Sequence, residues 1–213
     1  MIRLYFLLIL ILTSSLNVRS QYNDPKDVSK NNDEKMLRFL MEYLEIKYPS
    51  YEFNSFIYVG VKRQKIYLIK NNQISLSYDV STSANGAGII ENSNMTPVGL
   101  HKVKEKIGDN IPENGIFKYK KYTGKISEIE NRPIKTGLDI ISTRIITIEG
   151  LEKGLNKGKN IDSYERSIYI HGTNEEGLIG KPASHGCIRM KNHEIITLYK
   201  EIDLNQLIVI LNN

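Results

Sequence analysis

Hydrophobic positions recur along the chain with two different periods, and the change between them falls near Pro49. Between residues 33 and 48, Leu37, Leu40, Met41 and Leu44 return at three- and four-residue spacing, which marks one face of an amphipathic helix. The spacing predicts a helix over 33–50, with Asn32 or Asp33 able to cap its start and with Phe39, Met41 and Tyr43 packing rather than binding. Residues 21–32 are polar and rich in Asn, Asp and Lys, and read as a flexible lead. Beyond Pro49, short runs of β-branched and aromatic residues at 56–61, 65–70 and 74–80 are separated by turns at Arg63-Gln64 and Asn71-Asn72, the pattern of a β-meander. A Thr96-Pro97-Val98-Gly99 turn leads into a strand at 100–103, and further strands are expected at 138–148, 167–170 and 205–211. Ile195, Ile196 and Tyr199 predict a short helix over 193–202 that Asn192 could cap. Residues 106–136, rich in Gly, Pro, Lys and Glu, follow neither period. The pattern shows no internal repeat and no second domain boundary, so the expected fold is mainly β, a β-rich α+β domain over 51–213 behind one helix.

The N-terminus departs from both periods. One charge, Arg3, precedes an apolar run over 4–12, and Thr13, Ser14 and Ser15 follow it. That is the layout of a secretory signal peptide, with Val18 and Ser20 at the minus-three and minus-one positions of a cut after Ser20. The run is shorter than the about 20 residues that span a bilayer, and no cysteine near the cut offers a lipid anchor. Residues 1–20 are therefore expected to be removed. The mature chain is then a secreted, periplasmic protein with no stable membrane anchor; an uncleaved anchor is the alternative.

Composition narrows the classes. Among 213 residues there is one cysteine, which excludes an intramolecular disulfide framework and a multi-cysteine zinc finger. A net charge of +5 and a sequence pI near 9.1 come from scattered Lys and Arg, interrupted by acids, so no nucleic-acid-binding stripe is expected. A lone thiol carried into an oxidising compartment is a liability unless it is buried or useful. Cys187 therefore draws attention to its neighbours.

Those neighbours are Ile170-His171-Gly172-Thr173 and Ala183-Ser184-His185-Gly186-Cys187-Ile188-Arg189, which hold two of the four histidines and the only cysteine. If 185–187 is extended, His185 and Cys187 share a face, and Ser167, Tyr169 and His171 share a face of their own strand. Two strand ends could then bring thiol and imidazole together. An imidazole promotes the thiolate, a group that fixes the imidazole tautomer completes the arrangement, and backbone N–H groups flanking Cys187 could receive an oxyanion, with Gly186 leaving room for a substrate.

At these residues the sequence resembles the L,D-transpeptidase catalytic domain, the YkuD-like family. The family pattern is a histidine, a loop and then Ser/Thr-His-Gly-Cys; here it reads His171-Gly172, eleven residues, then Ser184-His185-Gly186-Cys187-Ile188-Arg189. The resemblance extends to the Thr96–Gly99 turn and the hairpin containing Gln64, and covers residues 55–211. It implies a mixed β-sheet or sandwich domain acting on peptidoglycan stem peptides. Cys187 would be the acylated nucleophile, His171 its base, and the Gly172 carbonyl the group that orients the base. His185 would shape the site and its oxyanion hole, and Ser184, Gly186 and Arg189 would complete the orienting and substrate-binding set. Arg189 stands where some members carry Asn. The resemblance further implies attack on an L-centre to D-alanine amide, resolution of the thioester by an amine or water, sensitivity to carbapenem-type inhibitors, and no metal or organic cofactor.

Other readings of the same residues remain open at this level. His171, His185 and Cys187 could be zinc ligands of a peptidoglycan hydrolase with Glu175 or Glu176 nearby. A related L,D-carboxypeptidase would use the same thiol with water as acceptor. In a non-catalytic wall-binding module Cys187 would be a buried small hydrophobe, and Arg189 could belong to a surface ion pair.

Overall fold

The computed structural model describes residues 25–213, with side chains described from residue 32. The expected signal segment over 1–20 lies outside the described residues. The first helix, α1 (Pro25–Lys47), starts earlier than its apolar spacing suggests, so residues 25–32, expected as a flexible lead, are helical. Proline at the first helical position forfeits no intrahelical hydrogen bond, because that N–H is an orphan in any case. Asn, Asp and Lys then cost only fractions of a kcal/mol each in a helix. The apolar stripe ends the element at Lys47, ahead of Pro49 and the expected limit at 50.

Ten strands form one mixed sheet among the described residues. They are β1 (Ser55–Gly60), β2 (Lys65–Lys70), β3 (Gln73–Asp79), β4 (Gly99–Ile107), β5 (Gly115–Lys118), β6 (Lys121–Ile126), β7 (Ile141–Gly150), β8 (Tyr169–Thr173), β9 (Ile188–Met190) and β10 (Leu207–Leu211). Their order is β3-β2-β1-β10-β4-β7-β5-β6, with β8 on β7 and β9 on β8. The β1–β10 and β8–β9 pairs are parallel and all others antiparallel. The expected meander is β1–β3, while β5, β6 and the three-residue β9 lie where the sequence pattern gave no strand.

Strand alternation divides the interior between two helices. Phe56, Tyr58, Tyr67, Ile69, Leu100 and Val209 pack with Leu37, Leu40 and Leu44 of α1. Their sequence neighbours Ile57, Val59, Ile66, Leu68, Ile208 and Ile210 face the other way, toward α2 (Asn192–Glu201) through Ile195, Leu198 and Tyr199. This period-two split gives the chain two apolar layers with the sheet between them.

The expected cap of α2 by Asn192 does not form. Lys191 is at the cap position, and Asn192 is fully buried. Its amide donates to the Thr173 carbonyl at 2.7 Å and to Glu176 Oε1 at 2.8 Å, while its Oδ1 accepts from the Ser142 hydroxyl at 2.7 Å. Asn192 thereby ties α2, β7 and β8 together beneath the strand that carries His171.

Candidate active site

β8 and β9 run parallel with Ile170 opposite Ile188 and His171 opposite Arg189, so Cys187 lies immediately before β9 beside the start of β8. Ile168 and Ile170 belong to the core shared with α2. Tyr169 packs on the other side with Phe117 and Ile145, and Cys187 is half-buried against this small cluster. The expected common face of Ser167, Tyr169 and His171 applies only to the last two, because Ser167 has a left-handed backbone (φ 55°) and precedes the strand.

His171 is buried, and its Nδ1 donates to the Gly172 carbonyl oxygen at 2.7 Å. That bond fixes the tautomer and leaves Nε2 as the acceptor nitrogen. Gly172 is required here. A Cβ would collide with Asn192 Oδ1 and lie 2.8 Å from the Ser142 carbonyl oxygen, displacing the carbonyl that holds the ring. Burial pushes the His171 pKa down against the opposing bond to Gly172 and the Asp139 charge, so the ring is held as a neutral base.

Residues 184–187 turn rather than extend, which overturns the expected shared face of His185 and Cys187. Gly186 has φ +122°, and a Cβ there would sit 3.1 Å from Ile168 Cδ1 and 3.3 Å from the Met95 carbonyl oxygen. Ser184, fully buried, donates its hydroxyl to the Cys187 carbonyl at 2.6 Å and accepts the Gly186 N–H at 3.2 Å. The Thr96 hydroxyl, in the expected Thr-Pro-Val-Gly turn, donates to the Gly186 carbonyl at 2.9 Å. Gln64 donates to Thr82 Oγ1 at 2.6 Å, and the Thr82 carbonyl receives the Ala183 and Ser184 N–H groups. The two motifs far from Cys187 in sequence thus act as fasteners of the turn that carries it.

The Cys187 sulfur accepts the Tyr169 N–H at 3.4 Å, and its thiol reaches the Ser167 carbonyl at 3.5 Å. His171 is not among its hydrogen-bond partners. Burial pushes the Cys187 thiol up to about 12, against the Tyr169 N–H bond, with Asp139 also raising it. The resting pair is therefore neutral thiol and neutral imidazole. Catalytic hydrogen bonds in empty sites commonly tighten only when substrate binds.

His185 sits differently from His171. Its side chain is 69% exposed, and its Nδ1 bonds Asp139 Oδ2 at 2.6 Å. Asp139 Oδ1 receives Arg189 Nη1 at 3.0 Å, and the same nitrogen donates to Glu175 Oε2 at 2.8 Å. Arg189 is wholly buried and also donates to the Ser81 hydroxyl at 2.9 Å. It is neither a surface ion pair nor open to a ligand in this structure, and it acts on the site through Asp139. Burial would raise the Asp139 carboxyl, but its neighbours His171, Arg189 and His185 hold it below the usual range. Asp139 is the residue of this cluster that the sequence pattern missed. It lies in the expected strand over 138–148, just ahead of β7, and reaches His185 across 46 positions. No local signal announces it.

The three residues of the zinc reading are not gathered into a metal site. Among the described residues no group of three or more His, Cys, Asp or Glu side chains is placed to hold a metal ion. Glu175, the suggested carboxylate base, is buried against Arg189 and Thr136 instead.

A family model described as the L,D-transpeptidase catalytic domain (YkuD) matches residues 54–210. The Bacillus subtilis (strain 168) protein YqjB is 46% identical over 41 residues, which is 19% of this chain and 23% of that protein. Among solved structures, Bdellovibrio bacteriovorus Bd1075 is 16% identical with a TM-score of 0.47, covering 75% of this chain and 48% of its own. An L,D-transpeptidase from Xylanimonas cellulosilytica is 14% identical with a TM-score of 0.46, covering 80% and 68%. The Ldtfm–avibactam carbamoyl enzyme is 14% identical with a TM-score of 0.46, covering 76% and 50%. The chain thus spans under a quarter of the curated relative it matches and about half the length of the first of these solved chains.

Proposed function

The chain belongs to the L,D-transpeptidase catalytic-domain family, and from that premise we propose that it is an exported cysteine L,D-transpeptidase acting on peptidoglycan stem peptides through a Cys187 thioester. The observation that carries this reading is the buried His171 ring, held by the Gly172 carbonyl at 2.7 Å on the strand beside the lone, half-buried thiol. When the acyl donor fills the cleft, His171 Nε2 takes the proton from Cys187 as sulfur attacks the carbonyl of the L-centre to D-alanine amide. The Cys187 N–H is the flanking donor for the oxyanion, because the Gly186 N–H is already given to Ser184. The imidazolium then protonates the departing D-alanine amine, the C–N bond breaks, and an acyl thioester and a neutral His171 remain. The donor is accommodated by a cavity of about 620 Å³ whose wall includes Phe117, Ile141, Ser167 and Tyr169, the last two being the residues that touch the sulfur. Export of the mature chain follows from the signal-like residues 1–20.

The test is incubation of the mature protein with a purified tetrapeptide muropeptide, followed by mass identification of the products. Released D-alanine together with a cross-linked or amine-exchanged product supports the reading. An unchanged muropeptide contradicts it.

A further inference from the structure

One segment of β7 breaks the ladder where it meets the strand of His171. Ser142 pairs with Gly172, and an unbroken antiparallel register would then set Thr143 against His171. Instead Ile145 pairs with His171, so Thr143 and Arg144 are two extra residues facing the His171–Gly172 peptide. Because the insertion is two residues, the alternation of faces stays in phase on either side of it. Paired residues share a face, so the bulge exchanges a hydroxyl for the buried aliphatic Ile145 opposite His171. The ring is left to the Gly172 carbonyl.

The chain holds this bulge against a conformational preference. Thr143 has φ +67°, a left-handed backbone that a β-branched residue keeps only when its surroundings over-determine it. Those surroundings are buried and polar. The Thr143 hydroxyl donates to Asn192 Oδ1 at 2.5 Å and accepts the Asn114 N–H at 2.8 Å, and its carbonyl receives Arg144 Nη1 at 2.5 Å. Asn192 closes the set from α2. Its Oδ1 accepts from Ser142 and Thr143, and its amide donates to the Thr173 carbonyl and to Glu176 Oε1. The Thr173 carbonyl can only accept, which settles the orientation of the amide. Both lone pairs and both N–H groups of Asn192 are thus used. Three of the four partners surround Gly172: its pair Ser142, the bulge residue Thr143 and its chain neighbour Thr173. Asp, of the same shape, would offer no donor and would face the Glu176 carboxylate.

We propose that Asn192 and Thr143 are positioning residues for His171: they lock the β7 bulge, which keeps Ile145 opposite the ring and fixes the Gly172 carbonyl as the partner of Nδ1. This rests on the thioester reading above, in which Nε2 of that ring takes the Cys187 proton. Both residues act through Gly172, and neither is a catalytic residue. Without the lock the left-handed turn at Thr143 relaxes, the Gly172 carbonyl is no longer fixed, and Nδ1 loses its steady partner. The ring then populates both tautomers, and the Nε2–H form cannot accept a proton from the thiol.

The experiment reads the ring directly, by heteronuclear NMR of the His171 imidazole at a pH where it is neutral. Acyl-enzyme formation from a tetrapeptide donor is followed in parallel by intact mass. Wild type should show the Nδ1–H tautomer alone. Thr143→Val keeps the shape without the hydroxyl, and Asn192→Ala removes the lock from the other side. Both should show a mixture of tautomers and acylate about 10- to 100-fold more slowly. The loss should lie in the maximal rate rather than in the donor concentration that half-saturates it. Thr143→Ser, which keeps the hydroxyl, should recover most of the loss. Thr143→Gly guards against a merely unfolded variant, because glycine adopts φ +67° without strain. It should melt within a few degrees of wild type and still show the mixture. A single Nδ1–H tautomer in the Val, Ala and Gly variants would overturn the assignment, as would wild-type acylation in a variant whose ring is mixed. Failure of wild type to form any acyl-enzyme would remove the thioester reading, and the tautomers alone would then decide whether the lock exists.

Discussion

His171 and His185 lie 14 positions apart and flank the same thiol, yet the chain treats them in opposite ways. His171 is buried on a strand and held by a backbone carbonyl; His185 is exposed on a turn and held by a carboxylate. The first environment favours a neutral ring that takes a proton only briefly. The second leaves the ring in water beside a carboxylate. Residue type alone would have made them equivalent, and the difference comes from what each Nδ1 touches and how much water each ring sees. A strand in the core gives a ring fixed geometry, whereas a turn at the rim leaves it open to solvent.

The sharpest way to break the His171 side is to remove its partner. Cys187→Ser should keep the fold and abolish acyl-enzyme formation, since a hydroxyl is far less acidic than a thiol and His171 is not tuned to activate it. The check is a normal circular dichroism spectrum without any covalent adduct. The next largest effect falls on the other side. Arg189→Met leaves Asp139 and the buried Glu175 without their shared cation, and should lower unfolding free energy by about 3–5 kcal/mol, measured by denaturant titration. Stability unchanged in that variant would mean that the chain from His185 to Glu175 is not held by charge.

His171→Ala should slow acylation by about 100-fold or more while leaving the melting temperature of the domain within a few degrees, a comparison made by rapid-mixing mass spectrometry. Gly186→Ala touches the turn between the two histidines. Its φ of +122° and the 3.1 Å approach of Ile168 should cost about 1–3 kcal/mol and slow acylation as well. The smallest effect is in pH. Burial lowers the pKa of His171, so the neutral base persists as pH falls below its ordinary value near 6.5. The acid limb of the acylation rate should therefore lie below pH 6.5, and NMR titration of the ring should give the same midpoint. An acid limb above 6.5 would assign the base elsewhere.

Much of this arrangement was legible from residues near one another in sequence. The period-two runs of β1–β3, the helical stripe of α1 and the His171 and Ser184–Cys187 motif each depend on neighbours or on one parallel strand pair. The role of the Gly172 carbonyl followed from the family pattern. What escaped shares a physical cause, namely partners brought together only by the sheet. β5 and β6 are short, carry several Lys, and are stabilised by pairing with each other and, through β5, with β7 rather than by a local period. Asp139 has no sequence neighbour that marks it, and Asn192 looks like a helix cap until three elements close around it. The extended reading of 185–187 failed because Gly186 adopts a backbone that alternation does not anticipate. Arg189 was expected to hold substrate, with a surface ion pair as the alternative, because nothing nearby in sequence shows the two acids that bury it.

The account turns on Cys187 being the atom that is acylated, with His171 as the base that makes it so. Intact-protein mass after exposure to a carbapenem, followed by peptide mapping, tests this most directly. The expected result is one adduct, localised to Cys187, formed at the wild-type rate only when His171 is present and not formed in Cys187→Ser. An adduct on any other residue, or one that persists in Cys187→Ser, would contradict it.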